Sequence, residues 1–188
     1  MGPNMMEIQA AGLAPSNDKE AALLAVLSPG GYTVIVRGQG NTTGVGIVEA
    51  YDLNQAVDTR FGNISTRGFV QTGDNIMIGG FIIRGGAIAN NVALRGLGPS
   101  LAQSGVNQVL ADPTLDLRNS NGTPVAFNDD WMENPGQAVQ LTSHGLAPQN
   151  PKESGIFSAL SPGAYTVLLR GKNNGTGIGL VEVYDVRD

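Results

Sequence analysis

The amino-acid sequence predicts an all-β chain: a jelly-roll-like antiparallel β-sandwich with an additional partial repeat unit at the N-terminus. Three observations predict this class. One segment occurs twice, the rest is divided into short β-rich runs bounded by Gly, Asn and Asp, and no stretch sustains a helical period. Glycine supplies 27 of 188 residues and charged residues only 14%, which argues against both a helical bundle and a disordered polyelectrolyte.

The duplicated segment establishes how the chain is organised. Residues 12–52 align with residues 145–185 without a gap, and 24 of the 41 positions are identical. We call these segments the first tail and the second tail. Residues 60–131 between them, the head, have no internal counterpart. The repeat therefore predicts a partial β unit over 1–56 and a complete β-sandwich over 57–188.

Both tails have the pattern of β-strands. In "YTVIVR" the residues Tyr32, Val34 and Val36 share one face, and "VGIVEAYD" resumes with residues that suit a pleated surface. A Pro-Gly pair marks the turn before the first run, and "GQGNTTG" between the runs has the composition of a hairpin connection. "NDKEAALLAVL" resembles a short helix, but its counterpart "NPKESGIFSAL" contains Pro151 and Gly155. We therefore expect a turn and a strand in both copies.

The head is also rich in strands. "ISTRGFV", "NIMIGGFII" and "NVALRGLG" have strand length, and "TLDLRNSNGTPVAF" predicts a hairpin that turns at Asn121 and Gly122. Residues 60–188 thus hold eight or nine strands, the number of a β-sandwich or jelly roll. "NIMIGGFII" carries no charge. It invites pairing between chains if it lies at a sheet edge, although a buried central position is the favoured interpretation.

The head and second tail together resemble a known class of module. "DPTLDLRNSNGTPVAFNDDW" followed by "ALSPGAYTVLLRG" is similar to bacterial pre-peptidase C-terminal (PPC-like) β-sandwich modules. The whole unit is most similar to tandem repeats of secreted bacterial surface proteins, in which an "ISTRGFV…GDN…GGFII" head precedes the same tail. The resemblance covers most of 60–188 and the tail again at 8–55. It implies an extracellular or cell-surface β-sandwich used in adhesion, secretion or matrix, with no defined reaction.

Charge and residue types argue against several functions. The net charge is −5, and the eleven basic residues form no run, which argues against nucleic-acid binding. The apolar run "IMIGGFII" is far too short to span a membrane. The chain has no cysteine, so thiol chemistry and disulfides are excluded. "GQGNTTG" is followed by a strand pattern, so it lacks the helix N-terminus that a phosphate-binding loop requires.

The inventory of catalytic groups is thin. His144 is the one histidine, and Ala11 stands at its position in the first tail. A nucleophile–base pair would need this histidine beside a serine and an orienting acid. We interpret His144 as a solvent-facing loop residue and expect no enzyme activity.

A cluster of oxygen-bearing side chains flanks the predicted hairpin of the head. Calcium takes six to eight oxygen ligands, and a short segment rich in Asn and Asp supplies several of them. The resemblance adds weight, because PPC-like domains can hold calcium in such a place. The spacing does not match an EF-hand, and capping of backbone N–H groups is the alternative role. The candidate ligands are Asp112, Asp116, Asn128, Asp129 and Asp130.

Two further features concern glycans. Asn-x-Ser/Thr sequences make Asn41, Asn63, Asn121 and Asn174 candidates for glycosylation. Trp131 follows the acidic cluster, where covering an edge of the sandwich is favoured over stacking on a sugar.

The leading functional expectation is a structural extracellular module that self-associates head to tail into a fibre or surface array, a homopolymer of this chain. A tail of about fifty residues cannot bury a core alone, so three arrangements are open: it packs on the complete domain of its own chain, takes strands from a neighbouring copy, or is the end of a preceding unit. We expect its apolar side chains to contact a neighbouring copy. The alternative is a calcium-dependent adhesion module that binds carbohydrate or another surface, with a surface glycan as ligand. The expected interface residues are Val34, Val36, Val45, Ile47 and Val48.

Overall fold

The chain divides into two compact units, residues 1–60 and residues 61–188. The computed structural model describes residues 4–53, 60–85 and 89–186. Among its described residues, unit 1 contains one α-helix, α1 (Met5–Ala10), and a short 3-10 turn at Gln39–Asn41, joined by chain without regular secondary structure. Unit 2 contains the strands and a second helix, and each unit is described by itself below.

The elements of unit 2 follow one another over the described part of the head and the second tail. The head supplies five strands and the second tail three, with a helix between them. They are β1 (Asn63–Val70), β2 (Met77–Ile83), β3 (Asn90–Leu97), β4 (Pro113–Asn119), β5 (Pro124–Asn128), α2 (Pro135–Ser143), β6 (Ser154–Leu160), β7 (Gly163–Gly171) and β8 (Gly177–Val186).

These eight strands form two four-stranded sheets with the order β1-β8-β3-β6 and β2-β7-β4-β5. Every pairing between the strands is antiparallel. This is the strand order of a jelly roll, so the predicted fold class is confirmed. The head hairpin is also confirmed, because β4 pairs with β5 across a turn in which Gly122 has a positive φ of 75°.

The core of unit 2 lies between the sheets and is built from both the head and the second tail. The head contributes Val70, Val92, Leu94, Leu110, Leu115 and Leu117, and the second tail contributes Ile156, Leu160, Val167, Leu169 and Val181. Alternate residues of each strand point inward, as the period of two predicts. Burial of eleven such side chains, at about 1.5–3 kcal/mol each, gives unit 2 a core of its own.

Helix α2 packs on the outer face of the first sheet and was not predicted. Asn134 begins it, because its side-chain oxygen accepts a hydrogen bond from the Gln137 N–H and Pro135 occupies the first turn. Leu141 is buried against Ala93 and Val186 in a second apolar cluster. The helix therefore covers an apolar patch that the sandwich leaves on its outside.

The connection at 172–176 is not a hairpin, which corrects the prediction made from "GQGNTTG" and its repeat. It joins β7 to β8, and these two strands lie in different sheets. Asn173 and Asn174 adopt left-handed φ values of 54° and 61°, which asparagine tolerates better than most residues. The left-handed pair turns the chain from one sheet to the other.

The first tail forms no strand within the described residues 4–53, so its predicted strand content is wrong. Its local geometry nevertheless repeats that of the second tail. Tyr32 Oη donates to the Ser28 carbonyl at 2.8 Å, as Tyr165 Oη does to Ser161. Asn41 has the left-handed conformation of Asn174. The two tails thus share local geometry, but the described residues of the first tail pair with no strand.

Strand β2, the "NIMIGGFII" run, lies at the edge of its sheet and pairs with β7 alone. The favoured interpretation as a buried central strand is therefore wrong. Ile78 and Ile82 on its outer face are 55% and 62% exposed. The run lacks charge because its inner face packs on the core, where Met77, Phe81 and Ile83 contact buried residues.

Candidate functional site

Two features of the structure suggest function: an exposed apolar surface in unit 1 and a carboxylate cluster in unit 2. The expected interface residues all lie on the first of these. Their relative exposures are Val34 71%, Val36 61%, Val45 88%, Ile47 84% and Val48 55%. Water contacts all five side chains, so the surface carries a free-energy cost that burial would remove.

The same positions in the second tail are largely buried. Val167, Leu169 and Val181, the counterparts of Val34, Val36 and Val48, are at most 2% exposed. Ile178 and Leu180, the counterparts of the other two residues, are half-buried. Identical or similar side chains therefore have opposite environments in the two tails.

Two further members of this apolar surface were not among the expected residues. Leu23 is 86% exposed and Leu27 is 59% exposed, whereas their counterparts Ile156 and Leu160 belong to the core. The alignment of the tails contained this signal. It was missed because the segment "NDKEAALLAVL" lacks the alternation that identifies a half-buried strand.

The carboxylate cluster joins three of the five predicted metal ligands. One carboxylate oxygen from each of Asp112, Asp129 and Asp130 lies within 4.8 Å of the other two. The Oδ1 atom of each is buried and accepts no hydrogen bond from the described residues. Three ionised carboxylates at such distances repel one another by several kcal/mol, so the arrangement favours a cation between them.

Two lysines contact the outer side of this cluster. Lys172 Nζ forms an ion pair with Oδ2 of Asp129, and Lys152 Nζ lies 3.8 Å from Oδ2 of Asp112. The hydrogen bond to Asp129 raises the pKa of Lys172 above its ordinary value, with the nearby carboxylate charges acting in the same direction. Both lysines approach Oδ2 atoms, so the Oδ1 atoms accept no hydrogen bond from the described residues.

The carboxylate oxygens fit calcium, which prefers hard oxygen donors and completes its coordination with carbonyl groups and water. Asp112 lies in the loop before β4, and Asp129 and Asp130 lie in the turn after β5. All three are therefore at the same end of that hairpin.

The other two predicted ligands have different roles. Asp116 forms ion pairs with Arg118 at 2.7 Å and Arg170 at 3.4 Å. Asn128 is buried, where it accepts a hydrogen bond from the Gly155 N–H and donates one to the Asp130 carbonyl. Asp116 is thus held by arginines, and Asn128 shapes the turn that carries Asp129 and Asp130.

His144 ends helix α2 and is half-buried. Its ring stacks on Phe157, with centroids 5.2 Å apart, and Nδ1 lies 2.8 Å from the Gln140 carbonyl oxygen. Ser143 Oγ donates to the same carbonyl at 2.9 Å. These contacts finish a helix, which is a structural role for the histidine.

Trp131 packs in the cluster beneath α2 with Leu141, so its ring covers the outside of the first sheet. Its backbone N–H donates to the Glu153 carbonyl at 2.8 Å. The four candidate glycosylation sites, Asn41, Asn63, Asn121 and Asn174, are all exposed. Among the described residues, no helix is long and apolar enough to cross a membrane.

Comparison with known proteins gives a likeness among solved structures. No protein-family model and no curated protein matches the chain. Among solved structures, the chain is similar to the pre-peptidase C-terminal domain of a collagenase from Bacillus anthracis. The match has 17% identity and a TM-score of 0.40, and it covers 64% of this chain and 88% of that domain. That domain belongs to the PPC class that the sequence resembles, while the jelly-roll assignment of unit 2 rests on its own strand order.

Proposed function

We propose that the chain is a non-catalytic structural module of the extracellular space or cell surface, which self-associates through unit 1 into a fibre or array. The observation that carries this proposal is the exposure of the apolar residues in the first tail. Most of their counterparts lie in the core of unit 2, so these side chains are of the kind that a folded protein buries. Unit 1 therefore presents a surface that a neighbouring copy can cover.

The energy available at this surface is sufficient for association. Full burial of Val34, Val36 and Val48 contributes about 1.5–3 kcal/mol for each side chain. Leu23 and Leu27 add similar amounts, which together offset an association cost of about 4–15 kcal/mol. A contact between unit 1 and a different surface of the next copy is heterologous, and such contacts propagate into filaments without closing.

Deletion of residues 1–56 tests this role. The remaining chain contains both sheets and the core, so we expect a folded, monomeric protein, whereas the full chain forms larger assemblies. Light scattering gives the mass of each, and negative-stain microscopy shows whether the assemblies are filaments. If residues 57–188 assemble as readily as the full chain, the intermolecular interface lies outside unit 1.

A second candidate is a calcium-dependent adhesion module that binds a surface glycan. The carboxylate cluster favours it, because one oxygen from each of the three carboxylates lies within 4.8 Å of the others and their Oδ1 atoms accept no hydrogen bond from the described residues. Calcium bound there would tie the loop before β4 to the turn after β5, and so fix the end of the sheet that a ligand would meet.

Calorimetry with calcium tests this candidate. We expect binding heat for the full chain, loss of that heat in Asp130→Asn, and retention of it in Asp116→Asn as the matched control. Calcium at one hundred times its Kd should stabilise unit 2 by about 2.7 kcal/mol in thermal unfolding. If calcium produces neither binding heat nor stabilisation, the cluster is not a calcium site, and this candidate function is wrong.

A further inference from the structure

The second tail shows what the first tail lacks. Its three strands never pair with one another: β6 pairs with β3, β7 lies between β2 and β4, and β8 lies between β1 and β3. Every strand partner of the second tail therefore comes from the head. A tail cannot make a sheet by itself, which agrees with the absence of strands from the first tail.

We infer that unit 1 binds a head-type segment, a polypeptide with the pattern of β1 to β5 that lacks a tail of its own. This inference rests on the proposed role of unit 1 as an interface, and it names the partner. Unit 2 supplies the template, because it shows the same tail sequence bound to a head. The partner's chemistry can be read from the contacts that the head makes there.

The first requirement is apolar. In unit 2, Ile156, Leu160 and Val167 of the second tail pack in one core with Leu94 and Leu115 of the head. The first tail presents Leu23, Leu27 and Val34 at these positions, all exposed. A partner must therefore supply inward-facing aliphatic side chains on its third and fourth strands.

The second requirement is a polar loop. Glu153 of the second tail is fully buried, and its Oε1 accepts hydrogen bonds from the Gly98 N–H at 3.0 Å and the Ser100 N–H at 2.9 Å. Ser100 Oγ donates to the same oxygen at 2.5 Å. Glu20 stands at this position in the first tail, where it is exposed and its carboxylate accepts from the Asn17 N–H. A partner needs donors like those of the Gly98–Ser100 loop.

The third requirement is an arginine. Arg95 on β3 donates from Nε to Glu182 at 2.7 Å and from Nη2 to Tyr184 at 2.8 Å. Tyr184 in turn donates to Glu182 at 3.1 Å. In the first tail Tyr51 donates to Glu49 at the same distance of 3.1 Å, and both side chains are exposed. The receiving half of the arginine site is thus preserved in unit 1.

Glycines supply an independent sign that the first tail is shaped for a close partner. A Cβ on Gly179 would lie 3.0 Å from Leu169 of the same tail, 3.1 Å from Val70 and 3.4 Å from Leu110, the last two in the head. Its counterpart Gly46 would meet nothing within 4 Å. The space beside Gly179 is filled from both the head and the second tail, and in unit 1 the corresponding space is open.

Stoichiometry decides which occupant is favoured. Each chain has one head and two tails, and the head of a complete copy is already bound by its second tail. Moving a head from one tail to another exchanges one set of contacts for a nearly identical set, so strand exchange between complete copies gains little free energy. A head without a tail gains the whole interface, and it is the occupant to which the geometry points.

The experiment uses the full chain and a probe made of its own residues 60–134. The probe is diluted from urea into the folded chain, and we expect a one-to-one complex by size-exclusion chromatography with light scattering. Hydrogen exchange should slow in residues 28–52 of the first tail. Residues 57–188, which lack the first tail, serve as the reference and should not bind the probe.

Two variants of the full chain complete the test. Gly46→Leu should weaken probe binding about tenfold or more, because overpacking at the matching position crowds Val70 and Leu110. Thr43→Ala should bind normally, since its counterpart Thr176 is exposed in unit 2. Trp131 fluorescence confirms that unit 2 stays folded in both variants.

The possible results separate this inference from the proposed function. Failure of the full chain to bind the probe, or equal binding by residues 57–188, overturns the inference even if the full chain self-associates. A full chain that stays monomeric alone yet binds the probe overturns self-association and supports the inference. Unchanged binding by Gly46→Leu would show that the probe does not occupy the sandwich position.

Discussion

The first and second tails are copies of one repeated segment in two states. In the second tail, residues 154–160, 163–171 and 177–186 are strands of a jelly roll. In the first tail, the matching residues form no strand and are nearly all exposed, although a local hydrogen bond recurs at the same position. The difference shows that the local sequence determines the turns, whereas strands form only where a partner strand pairs with them.

The largest expected effect comes from an identical residue in the two environments. Leu160→Ala should lower the free energy of unfolding of unit 2 by about 2–5 kcal/mol, because Leu160 is 3% exposed in the core. Leu27→Ala, at the matching position, should change stability by about 0.5 kcal/mol or less. Urea unfolding followed by circular dichroism gives both values. A comparable loss in the two variants would show that the first tail has a packed core.

A smaller effect is expected at the matching glutamates. Glu153→Gln weakens four hydrogen bonds to a buried carboxylate and should cost unit 2 about 1.5–3 kcal/mol. Glu20→Gln should leave the unfolding curve unchanged, since Glu20 is exposed. For binding of the probe of residues 60–134 the expectation for Glu20 is different: Glu20→Gln should weaken the complex. Equal destabilisation of the free chain by both variants would contradict the comparison.

The smallest effect concerns two tyrosines. The hydrogen bond to Glu49 is the first cause that raises the pKa of Tyr51, so Glu49→Gln should return that pKa towards its ordinary value. Burial is the first cause that raises the pKa of Tyr184, so Glu182→Gln should leave it elevated. Alkaline titration of phenolate absorbance, with Tyr51→Phe and Tyr184→Phe as references, separates the two groups.

The sign of the linked stability change follows from the raised pKa of Tyr184. Its contribution to the stability of unit 2 is complete below the unfolded value of about 10 and is lost as the pH rises through the folded pKa. If Glu182→Gln lowers the pKa of Tyr184 as far as Glu49→Gln lowers the pKa of Tyr51, burial is not what raises the pKa of Tyr184.

Much of unit 2 could be predicted because its signals are local. The β4–β5 hairpin follows from Asn121 and Gly122, and the runs of the head became strands with the expected burial alternation. Whether β7 and β8 lie in the same sheet could not be predicted from "GQGNTTG" and its repeat. The same turn residues occur in connections within a sheet and in connections between sheets. Helix α2 was hidden by its short, weakly apolar sequence, although Asn134 and Pro135 mark its start.

The carboxylate cluster was predictable in part. Pairing of Leu115 with Asn128 in the hairpin carries Asp112 to the same end as Asp129 and Asp130, and a hairpin register could be drawn from sequence. The exclusion of Asp116 depends on Arg170 from the distant second tail as well as on Arg118. Contacts of that kind require the tertiary fold.

The interleaving of head and tail strands also has a consequence for how unit 2 folds. β1 pairs with β8 from Asn63 to Tyr184, so the outermost pairing joins opposite ends of the unit. Contacts of such long sequence separation slow folding, since chain entropy is lost before they form. During synthesis the head emerges after the first tail and well before the second. The nascent head is therefore without its partner strands until the second tail has been synthesised. During that time the first tail, the other copy of the repeated segment, is already present on the same chain.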